Sequence, residues 1–162
     1  MRKIITVLSF FLTLLCINVS HGDSKVSFGT GFGALYSGIG VNVGLRSKNN
    51  FGYIAAGCIG IGRSDNSGWL TPCGVGVGWI WSGLFSNSNN RHGIGVYLGP
   101  VGIESNSANS DNNDAIYGAG ITYIYFMHGI NSAGWIFGLT PTIGKDGGSI
   151  KGGLLLNAGY HF

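Results

Sequence analysis

The chain has 162 residues, enough for one domain, and only 9% are charged, against roughly 25% in ordinary soluble domains. Glycine is the commonest residue at 31 copies, yet 44% hydrophobic and 12% aromatic content argues against a disordered chain, and the glycines lack a collagen period of three. A net charge of +3 with no cluster of Lys and Arg argues against a nucleic-acid partner.

The first element in chain order is a processing signal. Met1-Arg2-Lys3 is a short basic region. Residues 4–19 are apolar, interrupted by Thr6, Ser9, Thr13 and Asn18. Ser20-His21-Gly22 places small residues at the two positions a signal peptidase inspects, so cleavage is expected after Gly22. Residues 1–22 are then a signal peptide and residues 23–162 an exported domain. A lipoprotein signal through Cys16 fits less well, because Leu15 is bulky where that signal wants a small residue. An uncleaved anchor would need a longer, unbroken stretch. No later run of about 18 apolar residues exists, so no transmembrane helix is expected.

The rest alternates with a period of two, in eight segments: 26–36, 39–46, 51–61, 73–85, 92–104, 115–128, 134–143 and 149–162. The separators are rich in Asn, Ser, Asp and Gly, the residues that make turns. The first connection is a tight Ser37-Gly38 turn. Sorted by parity, the first segment carries Val26, Phe28, Thr30, Phe32, Ala34 and Tyr36 on one face and Ser27, Gly29, Gly31, Gly33 and Leu35 on the other. The fourth carries Val75, Val77, Trp79 and Trp81 against Gly74, Gly76, Gly78 and Ile80. The third, "FGYIAAGCIGI", is ambiguous; Tyr53, Ile59 and Ile61 favour its odd face as the bulky one.

In each clear segment large apolar residues take one face and glycine dominates the other. Glycines cannot cover a surface in water, so an inverted molecule is expected, with large residues toward lipid and small ones inside. Strands cross lipid only as a closed barrel, because an open edge leaves amide groups unpaired. The expected fold is therefore an all-β, eight-stranded antiparallel up-and-down transmembrane β-barrel. With both termini in the periplasm, two of the four outer connections are the longest, as such barrels prefer. Phe28, Tyr53, Trp81, Phe85, Tyr125, Trp135, Tyr160 and Phe162 then form an inner aromatic girdle. Tyr36, Trp69 and Tyr117 mark an outer one.

The ending "GGLLLNAGYHF" alternates Leu154, Leu156, Ala158, Tyr160 and Phe162 on one face and stops on an aromatic residue. It resembles the C-terminal signature of Gram-negative outer-membrane β-barrels. The mature chain resembles the small eight-stranded type, the OmpA membrane domain and the OmpX group, in length and strand number. That resemblance implies an outer-membrane location, contact with lipopolysaccharide, and recognition of these five residues by the barrel-assembly machinery before the last strand pairs with the first. A monomer is expected. This interior departs from that family in being nearly all glycine, with Asn42, Arg46 and Lys151 as its polar members.

Few residues suggest chemistry. Cys58 and Cys73 flank the second outer connection. They form either a disulfide, worth about 3 kcal/mol for a loop of about 15 residues in the chain-entropy model, or two thiols packing as small hydrophobes. Their parities differ, so a regular hairpin would aim them apart unless a bulge near Pro72 intervened. His92, His128 and His161 map to periplasmic strand ends, the last two pointing inward, in no metal-ligand spacing. "HGINS" compares poorly with the Ser-His pair of outer-membrane lipid A deacylases, since Ile130 stands where that serine belongs and Ser132 falls in a turn. Asp65, Glu104, Asp111, Asp114 and Asp146 fall in or beside outer loops, and Lys25, Arg46, Lys48 and Arg91 at the periplasmic end. Solvated loop charge is the preferred reading over cation bridges to lipopolysaccharide. Inside, Tyr97, Ile54, Ile80, Ile124, Phe126 and Leu155 are expected to fill the space glycine leaves, since an eight-stranded barrel is barely wide enough for side chains.

The expected role is structural or surface-interacting, through the outer loops, with no open pore, catalytic residue, metal or cofactor. The alternatives are a lipid A-modifying or lipid-binding barrel with an acyl pocket in the Gly-lined interior, and a soluble secreted β-protein.

Overall fold

The computed structural model describes residues 24–59, 62–64, 68–70, 72–83, 90–103, 115–146 and 148–162. The expected signal peptide and Asp65, Phe85, Glu104, Asp111 and Asp114 lie outside the described residues, as do the side chains of Trp69 and Asp146. Ten strands follow in chain order: β1 Lys25–Gly33, β2 Gly38–Arg46, β3 Asn50–Cys58, β4 Gly62–Ser64, β5 Gly68–Leu70, β6 Cys73–Trp81, β7 His92–Ile103, β8 Ala115–Phe126, β9 Gly134–Asp146 and β10 Ser149–His161. The short strands β4 and β5 pair only with each other. The other eight close into a barrel in which each strand pairs antiparallel with its chain neighbours and β10 returns to β1. The eight expected segments become these eight strands, several shorter by a few residues.

Partner residues traced around the ring run Phe28, Val43, Ile54, Val77, Leu98, Ala119, Ile143 and Gly152. Closure sets Phe28 instead beside Phe162, whose N–H reaches the Phe28 carbonyl at 2.8 Å. The stagger is 162 − 152, or ten residues. With about 3.3 Å per residue and about 4.8 Å between strands, that stagger tilts the strands by about 40°.

The alternation sorts as the sequence implies. Val26, Phe28, Val41, Leu45, Val75, Trp79, Trp81, Leu98, Ile121, Trp135, Leu139 and Leu156 all face outward and exposed. The buried core is the lumen, with Phe51, Tyr53, Ile80, Tyr97, Ile124, Phe126 and Ile136 turned inward.

The strand lengths divide the barrel into two walls. β1, β2, β3 and β6 have nine residues each, whereas β7 to β10 have twelve or thirteen. The walls meet at two short seams. β6 pairs with β7 over five positions, and β1 with β10 over only four, Phe32 to Ala158 being the outermost. Above that pair the edge of β10 continues alone.

Two local readings need correction. The first hairpin does not end in a tight Ser37-Gly38 turn. The ladder stops at Gly33 and Gly38, both with positive φ of 106° and 107°, where a side chain would be strained. Between them Ala34–Tyr36 makes a 3-10 turn that folds into the barrel and is wholly buried. Tyr36 is thus a lumen residue, not part of an outer girdle. In β3, Phe51, Tyr53 and Ala55 face inward while Ile54 is 52% exposed. Tyr53 therefore leaves the inner girdle, and Ile54 does not fill the lumen. Both faces of β3 carry large residues, so its register with β2, which sets Val43 opposite Ile54, decides the matter.

Candidate functional site

The lumen is the most constructed part of the molecule. Eight strands leave a space just wide enough for side chains, yet five aromatic rings enter it: Tyr36, Phe51, Tyr53, Tyr97 and Phe126. Glycine makes this possible. A Cβ on Gly31 would lie 2.7 Å from the Tyr36 ring, one on Gly76 2.8 Å from the Tyr97 ring, and one on Gly78 would overlap the Tyr53 ring. The inward glycines are holes in the wall into which rings from neighbouring strands fit.

The inward turn forms the upper plug. Its backbone groups, buried away from water, need partners. Asn157 of β10 accepts the Leu35 N–H through Oδ1 at 3.2 Å, and Asn42 of β2 donates through Nδ2 to the Leu35 carbonyl at 2.9 Å. Asn157 Nδ2 donates in turn to Thr140 Oγ1 at 2.9 Å, which lies 3.0 Å from Thr122 Oγ1. A polar belt thus crosses the lumen from β2 through the turn to β10, β9 and β8. His161, fully buried, closes it on the other side, with Nε2 3.4 Å from Asn42 Nδ2 and its ring edge-on to Tyr36.

A second plug closes the end of the barrel that carries the chain's C-terminus. The turn after β8 folds under the lumen, burying Ile130 completely. Ile130 N–H donates to the Asn90 carbonyl at 3.0 Å, and Asn131 Nδ2 to the Lys48 carbonyl at 3.0 Å. Arg46, 4% exposed, donates from Nη1 to the Ser132 carbonyl at 3.1 Å and stands 5.6 Å over the Phe51 ring. Asp146, at the outer end of β9, is the only acid within the eight barrel strands. Among the described residues the buried guanidinium sits against a carbonyl and a ring face.

The remaining candidates scatter. Cys58 and Cys73 are joined by a disulfide. They are direct partners in the ladder between β3 and β6, and need no bulge, because the outward face of β3 is its even one. His128 is exposed rather than inward, and His92 bonds Tyr123 through Nδ1 at 2.7 Å. Among the described residues no three His, Cys, Asp or Glu side chains gather. Ser132 lends only its carbonyl, to Arg46. Leu154, Leu156, Ala158, Tyr160 and Phe162 all lie outward on or just beyond β10, where Tyr160 packs against Phe162 at 5.0 Å and Trp135 at 5.6 Å. Lys151 is exposed near the top of the same strand.

Sequence reasoning passed over both plugs. Gly33, Ser37 and Gly38 were the signal for the upper one, since three left-handed positions in six residues exceed what a plain hairpin needs. Nothing local marks Ile130. No family model, curated protein or solved structure matches the chain.

Proposed function

We propose that this chain is a small integral barrel of the bacterial outer membrane, of the OmpA and OmpX kind, exported with residues 1–22 removed. It works as a structural or surface-interacting protein through its outer loops and conducts no solutes. The observation that carries the reading is the inside-out distribution of side chains. Val26, Val75, Leu98, Ile121 and Leu156 stand more than half exposed, while the lumen within holds buried rings together with Asn42, Thr122, Thr140 and Asn157. In water such a surface would be a contiguous apolar patch far beyond what monomers carry. In hydrocarbon it needs no further partner.

Plugs at both ends support the closed lumen. They also weigh against the acyl-pocket alternative in its interior form, because Tyr36, Phe51, Tyr53, Tyr97 and Phe126 take up that space. The outward alternation of Leu154, Leu156, Ala158, Tyr160 and Phe162 supports their role as the assembly signal, since β10 is the strand that meets β1.

Fractionation with heat-modifiable gel mobility tests the proposal. The folded protein is expected in the outer membrane, migrating faster unboiled than boiled, and silent in planar-bilayer conductance. Recovery in the soluble periplasmic fraction overturns it.

A further inference from the structure

The step where the two walls meet is the feature the proposed function leaves unused. β1 turns inward at Gly33, five residues above Phe28, while β10 continues upward past it to Ser149. At a tilt of about 40° each residue rises about 2.5 Å along the barrel axis, so an apolar band of about 25 Å takes about ten residues. Ten residues up from Tyr160 reaches Ile150. The β1–β2 hairpin therefore ends about halfway up the band, and the wall there has a gap.

The gap is an apolar groove. Its floor is Phe32, Gly33, Gly38 and Ile39, one bank is Leu154–Leu156 and the other Cys58 and Ile59. It encloses about 260 Å³, the space of roughly nine groups the size of a water molecule or methylene. A shallower depression over Val41, Ala56 and Val75 continues it, sharing Ile39 and Cys58. Phe32, Ile39, Leu154 and Leu156 belong to the same exposed outward face as the rest of the lipid-facing surface. One exposed cation on the outward face stands above the groove, Lys145, paired with Ile150 across the ladder. Its height matches the phosphates of a lipid whose chain lies below.

We propose that this step holds one acyl chain of lipopolysaccharide, seated along the edge of β10 with a phosphate at Lys145. The inference rests on the membrane reading above. Hydrocarbon is the occupant because the groove opens sideways within the apolar band. Lipopolysaccharide is the source because the step is at the end bearing the long outer connections, and because an anionic headgroup complements Lys145. The site is distinct from an interior pocket. It is a lateral seat made by an inward-folded hairpin.

Benzophenone-bearing residues at Ile39, in the groove, and Val96, on the opposite outward face, test it in living cells. Both positions are about half exposed. After irradiation the Ile39 variant is expected to capture lipopolysaccharide about fivefold more than the Val96 variant. Leu156→Trp, which fills the groove, removes that excess without touching capture at Val96. Heat-modifiable mobility checks that each variant is folded. Equal capture at both positions overturns the seat and leaves the membrane reading standing. Capture of phospholipid alone at Ile39 overturns the commitment to lipopolysaccharide. A protein dimer adduct at Ile39 assigns the groove to a second copy and overturns the lipid seat. No lipid at either position, with the protein in the soluble fraction, overturns the membrane reading itself.

Discussion

The short wall and the rim of the tall wall use glycine for opposite ends. Along β1, β2, β3 and β6 an inward glycine is a socket, as at Gly31 under Tyr36 and Gly78 under Tyr53. On the tall wall close packing persists at Gly118 and Gly144, where a Cβ would lie 2.7 Å from Val101, and only near the rim does an inward glycine open out: a Cβ on Gly102 would find only Ile116, at 3.7 Å. Glycine content therefore measures no single property here. In the lower lumen it sets how many rings the barrel can hold, and near the rim it leaves the wall thin. The inward hairpin joins the two regimes, since it fills the lower lumen by giving up height in the wall.

The largest expected effect comes from emptying a socket's occupant. Tyr36→Ala removes a fully buried ring and should lower stability by about 3–5 kcal/mol, as large-to-small aromatic changes do. The urea midpoint of the barrel in detergent micelles would show it. An unchanged midpoint would mean the turn does not sit in the lumen. Closing the socket should act almost as strongly. A Cβ on Gly31 would meet the Ala158 carbonyl and lie 2.6 Å from Gly159 Cα. Backbone cannot swing aside like a side chain, so Gly31→Ala should cost about 3 kcal/mol. Gly102→Ala should stay within about 0.5 kcal/mol. Equal costs at the two positions would erase the distinction between the short wall and the rim of the tall one.

The disulfide is the next lever. Cys58 and Cys73 end the short wall where β3 meets β6, a separation of 15 residues. Cys58→Ser with Cys73→Ser should lower stability by about 3 kcal/mol by freeing that loop in the unfolded chain. Wild-type protein under reductant should lose the same amount, and the double variant should be insensitive to reductant. A further pair of effects tests the belt across the lumen. Asn157→Ala leaves the buried Leu35 N–H without its acceptor, at a cost of about 1–3 kcal/mol. Hydrogen exchange at Leu35 should accelerate in step with that loss.

These regions also differ in how legible they were. The strands were readable to within a few residues at their ends because alternation repeats in each, and a face that is valine, tryptophan and leucine against glycine has one stable orientation in a closed ring. The lumen's fill by Tyr97, Ile80, Ile124 and Phe126 followed from the same parity. What failed was local. In the first hairpin the parity ran unbroken through Ala34 and Tyr36, and only the backbone sign at Gly33 turned the chain inward. In β3, Tyr53 and Ile54 compete for one outward face, and pairing with β2 decides between them. That single misreading also separated Cys58 from Cys73, which their shared ladder position brings together. The floor turn depends on partners 40 residues from Ile130 at Asn90 and 83 from Asn131 at Lys48, so no window of sequence displays it.

The smallest expected effect is the most discriminating. The Tyr36 hydroxyl is buried against Gly159 and meets no protein acceptor. Tyr36→Phe keeps the ring in its socket and deletes only that group. Removing a buried donor that has no partner is close to neutral or mildly stabilising, within about 1 kcal/mol. The urea midpoint should therefore stay or rise, in contrast to the collapse expected of Tyr36→Ala. A loss above about 2 kcal/mol would show that the hydroxyl is bonded in the native state. The lower lumen would then hold solvent at that height, and the contrast between a filled lower half and a thin upper wall would give way to a barrel wet throughout.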